Sequence, residues 1–448
     1  MDATIFKAYD IRAIYPDQMD ENDIYQIGRA FIDFLKVKEV AIGWDMRVST
    51  PSLLPHLIAG INDAGAKVIK LGQIGTEVLY FTVGKNNYES GIMLTASHNP
   101  SEYNGMKMVK KGAEPISGDN GIYEIRDLAI NSKYERLNLP TQVEEIDPFP
   151  EFRQRVEQLV DITKLKPIKI VIDAGNGMGG VLVEKVFSGS NLNVIPMYFE
   201  PDGRFPNHEA NPIKEENVAE LRKRVVEEKA DLGIALDGDG DRIFFIDEHG
   251  GYTLGYFLVA ILAKKILEKY PSSKIVYENR LTWAIEDTVS KCGGTYIICK
   301  PGHSFLKSKM REIDAVFSGE TSSHFYYKDI YYADSSMLTI ALLLELLTQE
   351  NTTLAKLLAP YSEKYFISGE INFTVDNADT TIEKVKQYFV SQGYEIDELD
   401  GITTGRERDW RFSLRKSNTE PLVRLNVEAK SQEIVDQKTK EISDLITS

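Results

Sequence analysis

A chain of 448 residues is too long for one ordinary domain, and 42% hydrophobic with 27% charged residues suits a soluble globular protein with several cores. The formal net charge of −16 excludes a general binder of nucleic acid or anionic membranes. An anionic substrate therefore demands a locally basic site, because remote charges are screened beyond about 8 Å. Two cysteines, Cys292 and Cys299, exclude a disulfide framework or a cysteine-rich zinc site and suit a reducing compartment. Residues 1–16 carry acids and tyrosines where a signal peptide needs an unbroken apolar core. The longest apolar runs, near 256–263 and 340–344, fall short of the ~20 residues that cross a membrane. A cytoplasmic location is expected.

In chain order, strand-like runs fall at 40–43, 67–71 and 91–94, with a helical apolar spacing over 53–64 between the first two. The same succession returns at 169–172, 192–196 and 231–236, and again at 274–277, 295–299 and 315–318. Strands alternating with helices imply parallel pairing through right-handed crossovers, so each succession predicts an α/β domain. The proline- and acid-rich stretch 138–150 reads as a linker, and 249–255 as a glycine-rich joint before a helix over 256–269. Beyond Pro360 the pattern changes to a strand at 371–375, a helix at 381–391, strands at 410–414 and 422–428, and a last helix at 431–446. The expected fold is three related α/β domains with mixed, mostly parallel sheets and a smaller C-terminal α+β domain around a central cleft. The expected bounds are 1–142, 143–250, 251–362 and 363–448.

In each α/β succession the third strand ends in a loop of unusual chemistry. The first is TASHNP, where Asn99 and Pro100 block an early helix and display Ser97 at a strand's carboxyl end, the usual place for chemistry in open α/β sheets. The bland alternative is an ordinary turn hydroxyl. The second is DGDGDR, in which alternate residues of an extended segment, Asp237, Asp239 and Asp241, would face one side. Three carboxylates repel strongly unless a hard cation such as Mg²⁺ or Ca²⁺ neutralises them. A calcium loop through Asp237, Asp239, Asp241 and Glu248 fails where Arg242 replaces the turn glycine and a strand precedes the loop. A solvated acidic turn leaves the neighbouring arginine unexplained. The third loop, GETSSH, offers Glu320, Ser322 and His324, a set better suited to sugar hydroxyls than to a metal.

GNGMGG at 175–180 matches the dinucleotide fingerprint, with Glu200 as a possible ribose acid. A dehydrogenase assigns no work to the other loops, so these glycines are read as serving a close turn and helix packing. RKSNTEP, between the strands of the last domain, combines Arg415, Ser417, Asn418 and Thr419 into a guanidinium-plus-turn cradle for phosphate, with Arg424 adding charge. Lys7, Tyr9 and Arg12, with Lys300, His303 and Lys307, would supply the local positive field.

With these loops in order, the chain resembles the α-D-phosphohexomutase superfamily over essentially its whole length. KAYDIR and SNTEP look most like the phosphomannomutase/phosphoglucomutase branch. The phosphoglucosamine branch, the alternative, usually has glycine in place of Asn418, whereas Ser323 stands where the first branch commonly has glycine. The resemblance implies interconversion of hexose 1-phosphate and 6-phosphate through a phosphoserine at Ser97 and a hexose 1,6-bisphosphate, which also serves as activator. It further implies one Mg²⁺ held by Ser97, Asp237, Asp239 and Asp241. Arg242 would offset phosphoryl charge, and Lys107 and His98 are the candidates for proton transfer. Glu320 and Ser322 would read sugar hydroxyls, and the 415–421 loop would grip the non-reacting phosphate. Tyr9, Arg12, Arg280, His303 and His324 complete the expected substrate contacts. The expected partner is a small phosphosugar, with no nucleic acid or membrane, and the chain is expected to be a monomer or homodimer. A non-catalytic sugar-phosphate binder is the remaining alternative.

Overall fold

Apolar runs of four or five residues are too short for a buried helix and long enough for a buried strand, and they fold accordingly. The structure is a computed structural model that describes residues 1–417 and 422–448. The chain groups into two units, Met1–Thr253 with Ser322–Leu354, and Leu254–Thr321 with Ala355–Ser448. Asn418 and Thr419, expected in the phosphate cradle, lie outside the described residues.

In the first unit, Glu39–Trp44 pairs in parallel with Lys67–Gln73 on one side and Ser90–Leu94 on the other. Tyr103–Lys110 then runs antiparallel between Ser90–Leu94 and Ile11–Ile14. Every residue of Ser90–Leu94 is buried, as a central strand covered on both faces requires. Helix Glu21–Leu35 starts at a reciprocal cap between Asp20 and Asp23. It packs Ile24, Ile27 and Phe31 into one core with Leu53, Leu57 and Ile61 of helix Thr50–Asp63. Each such side chain contributes about 1.5–3 kcal/mol on burial. A second sheet orders Asn193–Met197, Lys169–Asp173 and Leu232–Leu236 in parallel, then Ile243–Ile246 and Tyr252–Thr253 antiparallel. The same unit holds the hairpin Phe325–Tyr327 with Ala333–Asp334 and helix Ser336–Gln349.

In the second unit, Lys274–Glu278 pairs in parallel with Thr295–Cys299 and Phe317–Gly319. An antiparallel sheet follows in the order Phe366–Thr374, Leu422–Ala429, Trp410–Lys416, Ile402–Arg406. Helices Ala378–Ser391 and Gln432–Thr447 cover it through Val385, Phe389, Val435 and Ile442. The α/β and α+β classes therefore stand as expected.

Two local expectations change. The stretch read as a linker contains Val143–Glu145, which pairs with Lys67–Gln73 on the edge of the first sheet. The joint at 249–255 contains Tyr252–Thr253, the second arm of a hairpin with Ile243–Ile246. Short polar edge strands lack the apolar alternation that marks a strand in sequence.

Candidate active site

Leu94 ends one buried strand and Leu236 another, and the loops that follow them meet. Ser97 is buried, and its Oγ donates to Asp237 Oδ2 at 3.0 Å and lies 3.2 Å from His98 Nδ1. The approach is backbone-close: a Cβ on Gly238 would sit 2.3 Å from the Ser97 carbonyl oxygen, so only glycine fits. Ser97 itself adopts φ +49°, a left-handed conformation that costs a serine roughly 1–3 kcal/mol and needs support from its surroundings.

That support is Arg47, which the sequence reading did not single out. Its fully buried guanidinium donates to the carbonyls of Pro100 and Tyr103 at 2.7 Å, Asn99 at 2.6 Å and Ser97 at 3.0 Å. Asp45 Oδ2 lies 3.5 Å from Arg47 Nε. The available signal was the pair of charged residues Asp45 and Arg47 just beyond the strand-like run at 40–43.

The carboxylates of Asp237, Asp239 and Asp241 converge, with one oxygen from each within 4.8 Å of the others. The reason differs from the expected one. Residues 237–242 form a turn instead of an extended segment, with Gly240 at φ +76° and Asp237 Oδ1 accepting the amides of Asp241 and Arg242 at 3.1 Å. The turn curls the three side chains inward. GNGMGG supports it from below, since Met178 N donates to the Gly238 carbonyl at 2.9 Å and a Cβ on Gly177 would meet that oxygen at 2.6 Å. Those glycines thus serve close packing, as expected.

Lys107 lies on Tyr103–Lys110, is buried, and donates to Asp239 Oδ2 at 2.6 Å and to Asp241 Oδ2. Burial alone would depress its pKa, but Asp239 and Asp241 overrule it and hold the ammonium well above its usual range. Thr76 Oγ1 adds a bond to Asp239 Oδ2 at 2.5 Å. Burial, then repulsion from Asp241 and Asp239, pushes Asp237 up to about 8. Burial also acts on Asp241, but Lys107 and His324 keep it well below the carboxylate range. Asp239 Oδ1 and Asp241 Oδ1 are buried and accept no hydrogen bond. Buried carboxylate oxygens without a hydrogen bond, on three converging aspartates, are the donor set of a hard divalent cation, so the residues fit a metal.

Around this centre, Arg242 Nε donates to His324 Nε2 at 3.2 Å and approaches Asp237 Oδ2 at 4.0 Å. His324 Nδ1 lies 3.2 Å from Ser322 Oγ. His98 is held well below its usual pKa by burial and then by Arg242 and Arg12, so its ring is a neutral acceptor. Arg12 donates to Asp10 Oδ2 at 2.9 Å and to Asn99 Oδ1 at 2.7 Å, and Tyr9 is half-buried nearby in sequence. Ser323 has φ +64° with its carbonyl accepting Ile243 N at 3.2 Å, which explains why glycine suits that position. Glu77, another residue not anticipated, is buried, accepts a bond from Ser335 Oγ, and is pushed well above its usual pKa by burial.

The stretch 319–324 is divided between the units, with Glu320 in the second and Ser322 and His324 in the first. In the second unit Glu320 Oε1 accepts the Gly302 amide at 3.1 Å, where helix His303–Ile313 begins. Lys300 lies 3.5 Å from the Phe305 ring centre. Lys307, expected as part of the local positive field, is buried. Arg280 donates to Glu278 Oε2 at 2.6 Å, while Arg415 and Arg424 approach Glu370 at 3.3 and 3.1 Å. Arg424 also reaches Ser417 Oγ at 3.4 Å.

An α/β scaffold that seats a seryl hydroxyl on an acidic, metal-type cluster is the layout of the α-D-phosphohexomutase superfamily. Models of the phosphoglucomutase/phosphomannomutase family match the chain in sequence: α/β/α domain I over residues 3–134, domain II over 150–251, domain III over 254–365 and the C-terminal domain over 370–445. The chain belongs to the phosphoglucomutase/phosphomannomutase family. It is 42% identical over 443 residues to a phosphohexose mutase of Xanthomonas campestris, covering 98% of each chain. It is 40% identical over 455 residues to a phosphomannomutase of Vibrio cholerae, covering 99% of this chain and 98% of that one. A crystal structure of a phosphoglucomutase/phosphomannomutase family protein from Burkholderia thailandensis superimposes with a TM-score of 0.90 at 30% identity, covering 100% of this chain and 97% of that one.

Proposed function

We propose that the protein is a phosphohexomutase that interconverts hexose 1-phosphate and hexose 6-phosphate, with mannose and glucose forms as substrates. The observation that carries this reading is the 3.0 Å bond from Ser97 Oγ to Asp237 inside a buried carboxylate trio. In the working enzyme Ser97 carries a phosphoryl group. A sugar hydroxyl attacks that phosphorus, the bond to Ser97 Oγ breaks, and a hexose 1,6-bisphosphate forms. The bisphosphate then presents its other end, returns that phosphoryl group to Ser97 and leaves as the isomer. The same bisphosphate, supplied as activator, primes a serine that lacks its phosphate.

Ser97 Oγ, Asp237, Asp239 and Asp241 would hold Mg²⁺, which offsets charge on the transferring oxygens. Arg242 does the same from the His324 side, and most of the catalysis is positioning and charge neutralisation. Neutral His98, beside Ser97 Oγ, is suited to accept the sugar hydroxyl's proton, and Lys107 to return one. Tyr9, Arg12, Arg280, His303, Glu320, Ser322 and His324 are assigned to the sugar and its phosphates. Arg415, Ser417, Asn418, Thr419 and Arg424 are assigned to the phosphate that does not react.

Among the described residues no helix is long and apolar enough to cross a membrane, and both cysteines are free, which supports the cytoplasm as the location. A monomer or homodimer is the assembly we assign. The test is a mutase assay primed with glucose 1,6-bisphosphate, run on mannose, glucose and glucosamine 1-phosphates with and without EDTA. Metal-dependent turnover of mannose and glucose forms is expected. Binding without turnover would make the chain a sugar-phosphate-binding protein, and turnover of the glucosamine form alone would move it to the phosphoglucosamine branch.

A further inference from the structure

The antiparallel register of the last sheet sets Arg415 directly opposite Arg424. Like charges at facing positions of paired strands repel, so this pair needs an anion. The next strand supplies one. Asn372 faces Arg424, and Glu370, two residues earlier, shares its face of the sheet. A register shift between Ile367 and Glu370, with Gly369 at φ +70°, sets that position. Three guanidiniums then converge on one carboxylate: Arg424 at 3.1 Å from Glu370 Oε1, and Arg415 at 3.3 Å and Arg280 at 3.4 Å from Oε2. The Glu370 side chain is 24% exposed and that of Arg415 only 12%, so solvent screens this cluster weakly.

Charge makes the arrangement notable. Glu278 takes a second bond from Arg280, and Asp400 lies 3.9 Å from Arg415 Nε. Among the described residues, three arginines therefore face Glu278, Glu370 and Asp400, and these six charges sum to zero. A site built only to hold a phosphate dianion would keep a surplus of positive charge.

We propose that Glu370 is a resident anion that occupies the arginines while the phosphate position is empty and competes with phosphate for them, so that the substrate is held loosely enough to leave or turn around. This rests on the phosphohexomutase reading and deepens it: a reaction whose intermediate must present both ends is slowed by a phosphate grip that does not let go. Glu370 is a positioning residue in this scheme, since it touches the arginines and not the reacting atoms.

The test uses the full chain with Glu370→Gln, which keeps the shape and removes the charge. Calorimetric titration with inorganic phosphate and with glucose 1-phosphate is expected to show binding tighter by about tenfold, the lower end of what close charge pairs produce. Steady-state kinetics are expected to show KM and kcat falling together, as release becomes limiting. A folded Glu370→Gln protein that binds both ligands equally to wild type, or more weakly, overturns the proposal, because Glu370 would then only organise the arginines. Should that variant not fold, Glu370→Asp withdraws the carboxylate by one methylene. A partial tightening then supports the proposal and unchanged or weaker binding overturns it. Both titrations read phosphate affinity directly, whereas absent turnover in the wild-type assay would count against the mutase reading itself.

Discussion

Arg47→Met tests whether the serine loop is held in place by a single side chain. The guanidinium is fully buried and makes four bonds to the carbonyls of residues 97–103. Burial holds Arg47 below and Asp45 above their ordinary pKa values, so the ion pair by itself does not repay its desolvation. The four carbonyl bonds supply the balance, each charge-assisted and worth about 1.5–3 kcal/mol. Methionine fills the volume but leaves those carbonyls without a donor and Asp45 as an unpaired buried carboxylate. Removing one partner of such a pair costs about 3–5 kcal/mol, and we expect the denaturant stability of the first unit to fall by that much. Ser97, released from its left-handed backbone, shifts relative to Asp237, and a displacement near 1 Å lowers kcat by about 10² with little change in KM. Adding Asp45→Asn removes the orphaned charge and is expected to restore roughly 1–2 kcal/mol of stability without restoring kcat. The assays are urea unfolding and steady-state turnover on each single and the double variant. An Arg47→Met protein within about 1 kcal/mol of wild type, with kcat unchanged, refutes the reasoning.

Ser97→Ala is expected to abolish turnover while leaving calorimetric binding of a hexose 1-phosphate nearly intact; full activity would end the phosphoserine assignment. Thr76→Val removes the hydroxyl that fixes Asp239 and is expected to weaken Mn²⁺ binding, read by electron paramagnetic resonance, by about 10- to 100-fold. Unchanged metal affinity would show that Asp239 is positioned without it. His208 Nε2 pairs with buried Asp173 at 3.0 Å, its Nδ1 lies 2.8 Å from the Glu209 carbonyl, and Glu220 adds a more distant negative charge. Burial lowers the imidazole pKa, but Asp173 and Glu209 outweigh it and raise the value above 6.5. The stabilising contribution is then fully present below the unfolded value and lost as pH rises through the folded one. His208→Gln should therefore destabilise most near pH 6, with the gap to wild type narrowing at alkaline pH; a gap that widens with pH would contradict the charged pair.

Much of the centre was legible in the chain because its signals are local. Ser97 stands in a proline-bounded loop after an apolar run, and three aspartates two residues apart mark a cation loop whatever their backbone conformation. That conformation was misjudged: a turn, not an extended segment, gathers Asp237, Asp239 and Asp241, and spacing alone does not separate the two. The antiparallel strand Tyr103–Lys110 was not anticipated, although it turns Lys107 from an ordinary lysine into the buried counter-ion of Asp239 and Asp241. Arg47, Thr76 and Glu77 escaped notice for the same reason, since a lone polar residue shows its partner only once two segments pack.

The sequence by itself determined which chemistry the loops carry and their order along the chain, because residue type and periodicity are properties of neighbours a few positions apart. Only the tertiary structure decided which groups share one environment. Ser97 and Asp237 are 140 residues apart, and their bond exists because the loops after two buried strands meet at a glycine thin enough for the backbones to touch. The charge state of Lys107 and the need of three arginines for Glu370 follow from burial, which depends on what the rest of the fold places around them.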